Sequence, residues 1–406
     1  WVVTTALNEI WGSANLGFSL GPLLTQGAVE LLSAHASEEQ KEKYLEAMIT
    51  GRWTGTMNLT EPQAGSDVGA LRTKAVKNGD HYLISGQKIF ISYGDHEMAE
   101  NIIHLVLART EGAPEGIKGI SLFIVPKILV NDDGSLGHRN DVRPMSLEHK
   151  LGIHASPTAV MGYGENEGAV GYLIGEECRG IQYMFTMMNN ARLGVGLQGL
   201  SVAERAYQQA VTFAKDRVQM RDAVAGSKSS VAIAHHPDVR RMLLRMRAQT
   251  EAMRCLAYVA AAGLDVANHH PDPEVKASAQ ERVDLLIPIV KAWSTDLGNE
   301  VASTNVQVHG GMGFIEETGA AQLYRDVRIA AIYEGTNGIQ SIDLVARKLG
   351  RDSGLAMRGL LAEMQETVTA LRALDDPDSQ AIAPLLQDGI ESLSLIHISE
   401  PTRLAT

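Results

Sequence analysis

The sequence predicts an α+β chain ordered helices, sheet, helices, and three observations predict it. Ser37-Glu38-Glu39-Gln40 is a capping-box pattern ahead of a stretch in which Tyr44, Leu45, Met48 and Ile49 share one helical face and Gly51 marks a stop. From about Met57 the hydrophobic period changes to that of strands and stays so to near Gly180. From Ile181 onward, long amphipathic stretches take over.

Within the middle portion, β-rich runs occupy Ala75–Lys77, His81–Ser85, Lys88–Ser92, Ile102–Ala108, Ile120–Val125, Thr158–Tyr163 and Ala169–Ile174. Asn78-Gly79 between the first two is a hairpin signal. The last portion reads as four or five helices up to about Arg351: one around Ala191–Val218, one over Pro237–Ala267, one over Val275–Ala302 with a kink expected at Pro288, and shorter ones flanking a glycine-rich loop at Gly310–Gly319. This order is not the alternating strand-helix pattern of a dinucleotide fold, and no Gly-x-Gly-x-x-Gly follows a strand and opens a helix.

At 406 residues the chain exceeds the size at which a single core usually keeps growing, so two or three domains with large shared interfaces are expected. Its 45% hydrophobic and 21% charged residues are ordinary for a compact globular protein. A formal charge of −12 opposes attraction to phosphate backbones, so nucleic acid is a disfavoured partner. The richest cationic stretch, Arg240 to Arg254, has helical spacing and reads as a solvated or salt-bridged face. Cys178 and Cys255 have neither metal-ligand nor redox spacing, which fits a reducing, cytoplasmic setting. The pairs His235-His236 and His269-His270 precede polar, proline-containing stretches and read as loop histidines, so no metal is expected. No apolar run reaches the roughly 18 residues of a membrane span.

The expected organisation is a remainder of an N-terminal helical domain over 1–56, a β-domain over 57–180, a helical bundle over 181–351, the start of a further region over 352–391, and a tail over 392–406. The chain starts at Trp1 without a methionine, and Leu393 to Arg403 resembles the translation of a sequencing-library adapter, so that tail is expected to be non-native.

Three segments carry chemistry. Leu59-Thr60-Glu61-Pro62-Gln63-Ala64-Gly65-Ser66-Asp67 is a hydroxyl-bearing loop after a strand, where glycine permits close backbone approach to phosphate or carbonyl oxygens. Gln307-Val308-His309-Gly310-Gly311-Met312-Gly313-Phe314 is a glycine loop at a helix end. Tyr333-Glu334-Gly335-Thr336-Asn337 places a carboxylate on a turn that can project into a cleft, where burial would raise its pKa toward neutrality.

Over nearly all of Gly27 to Arg347, these segments in this order resemble the acyl-CoA dehydrogenase family. The resemblance implies a helical N-terminal portion, a central antiparallel β-domain and a C-terminal helical bundle, with bound FAD. It implies that Met57, Leu59 and Thr60 hold the flavin ring, that Ser66 lies near pyrophosphate and substrate, and that Phe90 and Ser92 cover the ring where the family commonly has tryptophan and threonine. Arg217, Gln307, Gly310 and Gly311 would reach a neighbouring subunit's FAD in a homodimer or homotetramer, and Thr336 would also bind cofactor. Glu334 matches the base that removes the α-proton of an acyl-CoA while the β-hydride goes to flavin N5. Tyr333, Gly335, Ser66 and Arg192 match substrate contacts, Arg192 to the coenzyme A portion. Some members carry the base at the position of Ala191, where alanine cannot serve.

The stretches Ser146 to His154 and Glu334 to Gln340 resemble the enlarged branch of the family, which has an additional C-terminal region and includes enzymes acting on 3-methylmercaptopropionyl-CoA. An electron-transferring flavoprotein is the acceptor that the resemblance implies, and an oxidase variant stays open. The alternative is the alkylation-response branch of the same fold, which keeps FAD and associates with DNA. Met184, Met187 and Met188, at helical spacing, read as core filler near the acyl pocket.

Overall fold

The computed structural model describes residues 1–222 and 224–398; of the tail expected at 392–406, residues 399–406 lie outside the described residues. Helices α1 (Val2–Ala14), α2 (Leu16–His35) and α3 (Glu38–Ile49) come first. The capping box forms as expected, with Ser37 accepting from the Gln40 N–H and Gln40 returning to the Ser37 N–H, and Gly51 takes the left-handed conformation just past the helix end.

The sheet portion contains β1 (Trp53–Asn58), β2 (Lys74–Asn78), β3 (His81–Ser92), β4 (Asn101–Thr110), β5 (Ile120–Pro126), β6 (Ile128–Val130), β7 (Leu136–Arg139), β8 (Val142–Leu147), β9 (Thr158–Tyr163) and β10 (Ala169–Leu173). The first strand thus starts at Trp53, before the change of period at Met57, and the runs at His81 and Lys88 form one long strand. The main sheet runs β1-β4-β5-β10-β3-β9-β8, with β2 pairing β3 and β4. It is antiparallel apart from the β1–β4 and β2–β4 pairings, which are parallel. Asn78 pairs with His81, so the hairpin loop is Gly79-Asp80, with the positive φ at Gly79.

Alternation explains why β4 and β5 are buried along nearly their whole length. Ile103, Leu105, Leu107, Leu122 and Ile124 face α2, α3 and the start of the next helix, while Val106, Ala108, Phe123 and Val125 face the opposite core with Ile84, Met161 and Tyr163.

The chain then enters α4 (Gly180–Asp216), the small hairpin β11 (Val218–Arg221) and β12 (Ser230–Ala232), α5 (Pro237–His269), α6 (Pro273–His309), α7 (Ala320–Val327) and α8 (Asn337–Ile342). A π-helical turn, Asp343–Leu349, follows, and then α9 (Leu355–Ala373) and α10 (Pro377–Ile398). Helix α6 runs on through Pro288 rather than breaking there, and His269 closes α5 instead of lying in a loop. Alanines 203, 206, 210 and 214 of α4 allow close approach to α5 and α6, and Gly199 lies against Gly298 and Ser294, where an added Cβ would come within 2.3 Å of the Ser294 carbonyl. The arginine-rich face of α5 is ion-paired: Arg241 with Asp238, Arg245 with Glu300, Arg247 with Glu251, and Arg254 with Glu9 and Glu204.

Sequence reading passed over the clamp that ties the loop after β1 to β3. Glu61 and Lys88 form a buried ion pair at 2.8 Å, and the Lys88 ammonium also donates to the Leu59 carbonyl. The same carboxylate accepts from the Thr73 N–H and hydroxyl, the Arg72 N–H and the Gln63 amide. Burial alone would raise Glu61, but the Lys88 charge and these donors outweigh it and hold the carboxyl at about 2. Burial pushes Lys88 down to about 8 despite Glu61. Both groups are therefore charged at neutrality. Glu61→Gln leaves a buried ammonium unpaired and is expected to lower unfolding stability by about 3 kcal/mol or more in chemical denaturation. The stabilisation from ionised Glu61 is complete above the usual carboxylate range and is lost as pH falls toward 2, so the difference between the two proteins narrows in acid.

Candidate active site

Glu334 follows a one-turn 3₁₀ segment, Arg328–Ala331, and precedes α8. It adopts φ +55° and Gly335 φ +84°. Two successive left-handed residues swing the chain sharply, and for a glutamate this conformation costs on the order of 1–2 kcal/mol. Glycine is required next, both for its φ and because a Cβ there would lie 2.8 Å from Gln340 Nε2. The turn is held from several sides. Gln340, buried, donates to the Glu334 and Gly335 carbonyls, and Lys291 of α6 donates to the Gly335 carbonyl at 2.7 Å and to Asn337 Oδ1 at 2.9 Å.

The Glu334 side chain keeps part of its surface accessible, yet protein surrounds it so closely that desolvation pushes its pKa up to about 7. The charges of Arg192 and Lys291 pull the other way and stop it from rising further. A carboxyl of this kind exists in both protonation states near neutral pH. Among the described residues no acceptor takes the Glu334 backbone N–H.

Tyr333 sends its hydroxyl to Gln198 of α4 and packs in a cluster with Leu20, Leu23, Val202 and Tyr93. That cluster joins the neighbour of Glu334 to the neighbour of Ser92 and so ties the Glu334 turn to the end of β3. Ala191 is buried among Met57, Met184 and Met187, which bears out those two methionines as core filler.

Arg192 is buried and its guanidinium meets Asp343 at 2.9 Å, the first residue of the π-helical turn. With Phe185 and Asn189 of α4 and Arg347, Lys348 and Arg351 beyond α8, these two line a cleft of about 220 Å³. Arg192 and Arg347 pair with Asp343, and Lys348 and Arg351 with Asp284 nearby, so the lining carries more cations than carboxylates and the cleft is basic. Asp343→Asn would strand the buried Arg192 charge and is expected to lower stability by about 3 kcal/mol in denaturant titration, whereas Arg347→Gln, at the exposed rim, should cost under about 1 kcal/mol.

The residues expected to meet a flavin fall into two gatherings. In the first, the Met57 side chain is turned into the core of β1 and Leu59 packs on it, with the Leu59 carbonyl accepting from Lys88. The Thr60 carbonyl accepts from the Ile89 N–H, Ser66 is exposed, and Ser92 accepts at its carbonyl from the Thr56 hydroxyl. Phe90 sits in the irregular register between Lys88 and Ile91 with φ +60°, and the bulge turns its ring outward, 60% exposed. An exposed aromatic beside free hydroxyls and an unobstructed Gly65 fits a flat heteroaromatic ring with a phosphate tail. Thr336 caps α8 by accepting from the Ile339 N–H.

In the second gathering, Phe213 stacks on His309, which places the α4 end bearing Arg217 beside the loop bearing Gln307, Gly310 and Gly311. All four are exposed, nothing lies within 4 Å of a Cβ added to either glycine, and Arg217 meets only the Gln219 amide among the described residues. His309 itself is buried, its Nδ1 bonded to the Asn305 carbonyl. Phe314 at 84% exposure shows that this end presents apolar surface as well as donors.

Sequence reasoning missed Lys291, Asp343, Gln198 and Gln340. Lys291 alone left a signal: it falls on the buried stripe of α6 marked by Ile287, Ser294 and Gly298, where a cation needs a partner.

Known proteins resemble the chain along this architecture. Residues 56–163 match the family described as acyl-CoA dehydrogenase, middle domain, and residues 178–350 match acyl-CoA dehydrogenase, C-terminal domain. The chain is 55% identical over 358 residues to 3-methylmercaptopropionyl-CoA dehydrogenase of Ruegeria pomeroyi, covering 88% of this chain and 60% of that protein. It is 34% identical over 316 residues to an acyl-CoA dehydrogenase of Bacillus subtilis, covering 77% and 73%. The solved structure of butyryl-CoA dehydrogenase from Megasphaera elsdenii superposes with a TM-score of 0.68 at 29% identity, covering 84% of this chain and 80% of that one.

Proposed function

This chain belongs to the acyl-CoA dehydrogenase family, and from that membership and the setting of Glu334 we propose that it dehydrogenates a short acyl-CoA thioester between Cα and Cβ. The observation that carries the reading is a carboxyl with a pKa near 7 on a doubly left-handed turn, joined through the Tyr333–Tyr93 cluster to the strand end bearing Ser92. Glu334 removes the α-proton, and its backbone N–H donates to the thioester carbonyl, which acidifies that proton. FAD, held by the residues around Thr60, Ser66, Phe90 and Ser92 and by Arg217, Gln307, Gly310 and Gly311 of a second subunit, supplies the acceptor for the β-hydride at N5.

The basic cleft lies beside the base turn, since Arg192 contributes to the surroundings of both. Its guanidinium and ammonium groups suit the phosphates of coenzyme A. The core around Ala191 is filled by Met184 and Met187, and a short acyl chain is the reading that the likeness to butyryl-CoA dehydrogenase supports. 3-Methylmercaptopropionyl-CoA is the specific substrate that the 55% identical relative suggests. An electron-transferring flavoprotein is the acceptor, and a homodimer or homotetramer completes the cofactor site.

Glu334→Gln is expected to retain FAD while substrate-dependent bleaching of the flavin slows by at least about 10²-fold, read by anaerobic stopped-flow absorbance. Because the base must be ionised, the rate in the unaltered protein should climb as pH rises through about 7 and then level off. Arg347→Glu should weaken binding of short acyl-CoAs about 10-fold, with the difference shrinking as salt is raised, in titrations followed by flavin absorbance.

A further inference from the structure

We propose that Lys291 is a positioning residue for the base: from α6 it holds the backbone of the Glu334 turn and, beside Arg192, adds a second buried positive charge behind the Glu334 carboxylate. This rests on the reading of Glu334 as base. The lysine has no solvent exposure, and its ammonium has specific partners, the Gly335 carbonyl at 2.7 Å and Asn337 Oδ1 at 2.9 Å. Asn337 is fixed in turn by its amide donating to the Ala292 carbonyl, the Thr295 hydroxyl and Asp296. The left-handed pair Glu334-Gly335 is thus tied to one short stretch of α6, so that strain in the turn is borne by a rigid helix.

A neutral hydrogen-bond donor at position 291 would satisfy the carbonyl equally well. Burying a lysine there is costly, and burial pushes it down to about 8, with Glu334 and Asp296 opposing the fall. Lys291 makes no ion pair among the described residues, and its charge acts on Glu334 from the backbone side of the turn that it holds. The groups facing that carboxyl are Arg192 from α4, Lys291 from α6 and the adjoining Tyr333. Asp343 and Arg347 of the π-helical turn act on it through Arg192. Since Arg192 is committed to Asp343, Lys291 is the buried cation without a carboxylate of its own among the described residues.

The test compares Lys291→Met, Lys291→Gln and Lys291→Arg in the FAD-bound protein. The Glu334 carboxyl is titrated by NMR with ¹³C-labelled glutamate, its signal assigned by its loss in Glu334→Gln. Both neutral variants should move the midpoint up by about 1 pH unit or more, and Lys291→Arg should bring it back toward the original value. The pH at which substrate-dependent bleaching reaches half its plateau should move by the same amount. A neutral variant that folds with the midpoint unmoved overturns the proposal. Should Lys291→Met fail to fold, the same change in the Glu334→Gln background decides: recovery of folded, flavin-loaded protein supports a requirement set by the carboxylate, and continued failure assigns the lysine to the fold alone. Absence of bleaching in the unaltered protein would strike the dehydrogenase reading and leave the titration result standing.

Discussion

A carboxyl forced into the protein interior and answered by two buried cations is the constraint around which the helical portion is arranged. Desolvation alone would keep Glu334 protonated and inert as a base; Arg192 from α4 and Lys291 from α6 pull it back to a pKa of about 7. Each cation brings its own demands. Arg192 requires Asp343, which the π-helical turn delivers, and Lys291 requires the Gly335 carbonyl and Asn337, which fixes α8 against α6. The close packing of α4 on α6 through Gly199 and Gly298 therefore bears on the proposed base, because Arg192 and Lys291 project from these two helices.

The sheet portion answers a different requirement, which is to leave polar backbone and an aromatic ring open at a surface that the core would otherwise close. The Glu61–Lys88 pair does this by pinning the loop after β1 to β3 from inside, so that the outer side of Thr60, Ser66 and Phe90 carries no structural duty. Phe90 pays a conformational cost in the bulge for its outward position. Such strain where nothing in the chain demands it is what a ligand-facing residue shows.

Much of this was legible in the sequence where the signal is local. The capping box at Ser37, the alternation in β4 and β5, and the glycine after Glu334 each follow from neighbours within a few residues. The family resemblance is the source of the roles proposed for Glu334 and for the loop from Leu59 to Asp67. What stayed hidden is non-local pairing. Glu61, in the loop after β1, and Lys88, on β3, are 27 positions apart, and Arg192 and Asp343 are 151 positions apart, so neither partner announces the other. Short edge strands such as β6 and β7 also escaped, since three or four residues give too little alternation to read. Lys291 is the exception: a lysine on an apolar helical stripe invites the question of its partner.

The most direct measurement isolates proton removal from everything that follows it. A short thioester of coenzyme A with acidic α-hydrogens and none on the β-atom, such as one with sulfur in the β-position, can be deprotonated but not dehydrogenated. Incubated in deuterium oxide with the flavin-loaded protein and followed by NMR, it should take up deuterium at Cα, faster as pH rises through the Glu334 midpoint, and should cease to do so when that carboxylate is replaced by an amide. Exchange that continues at a comparable rate in the amide variant would contradict the account, because some other group would then be the base.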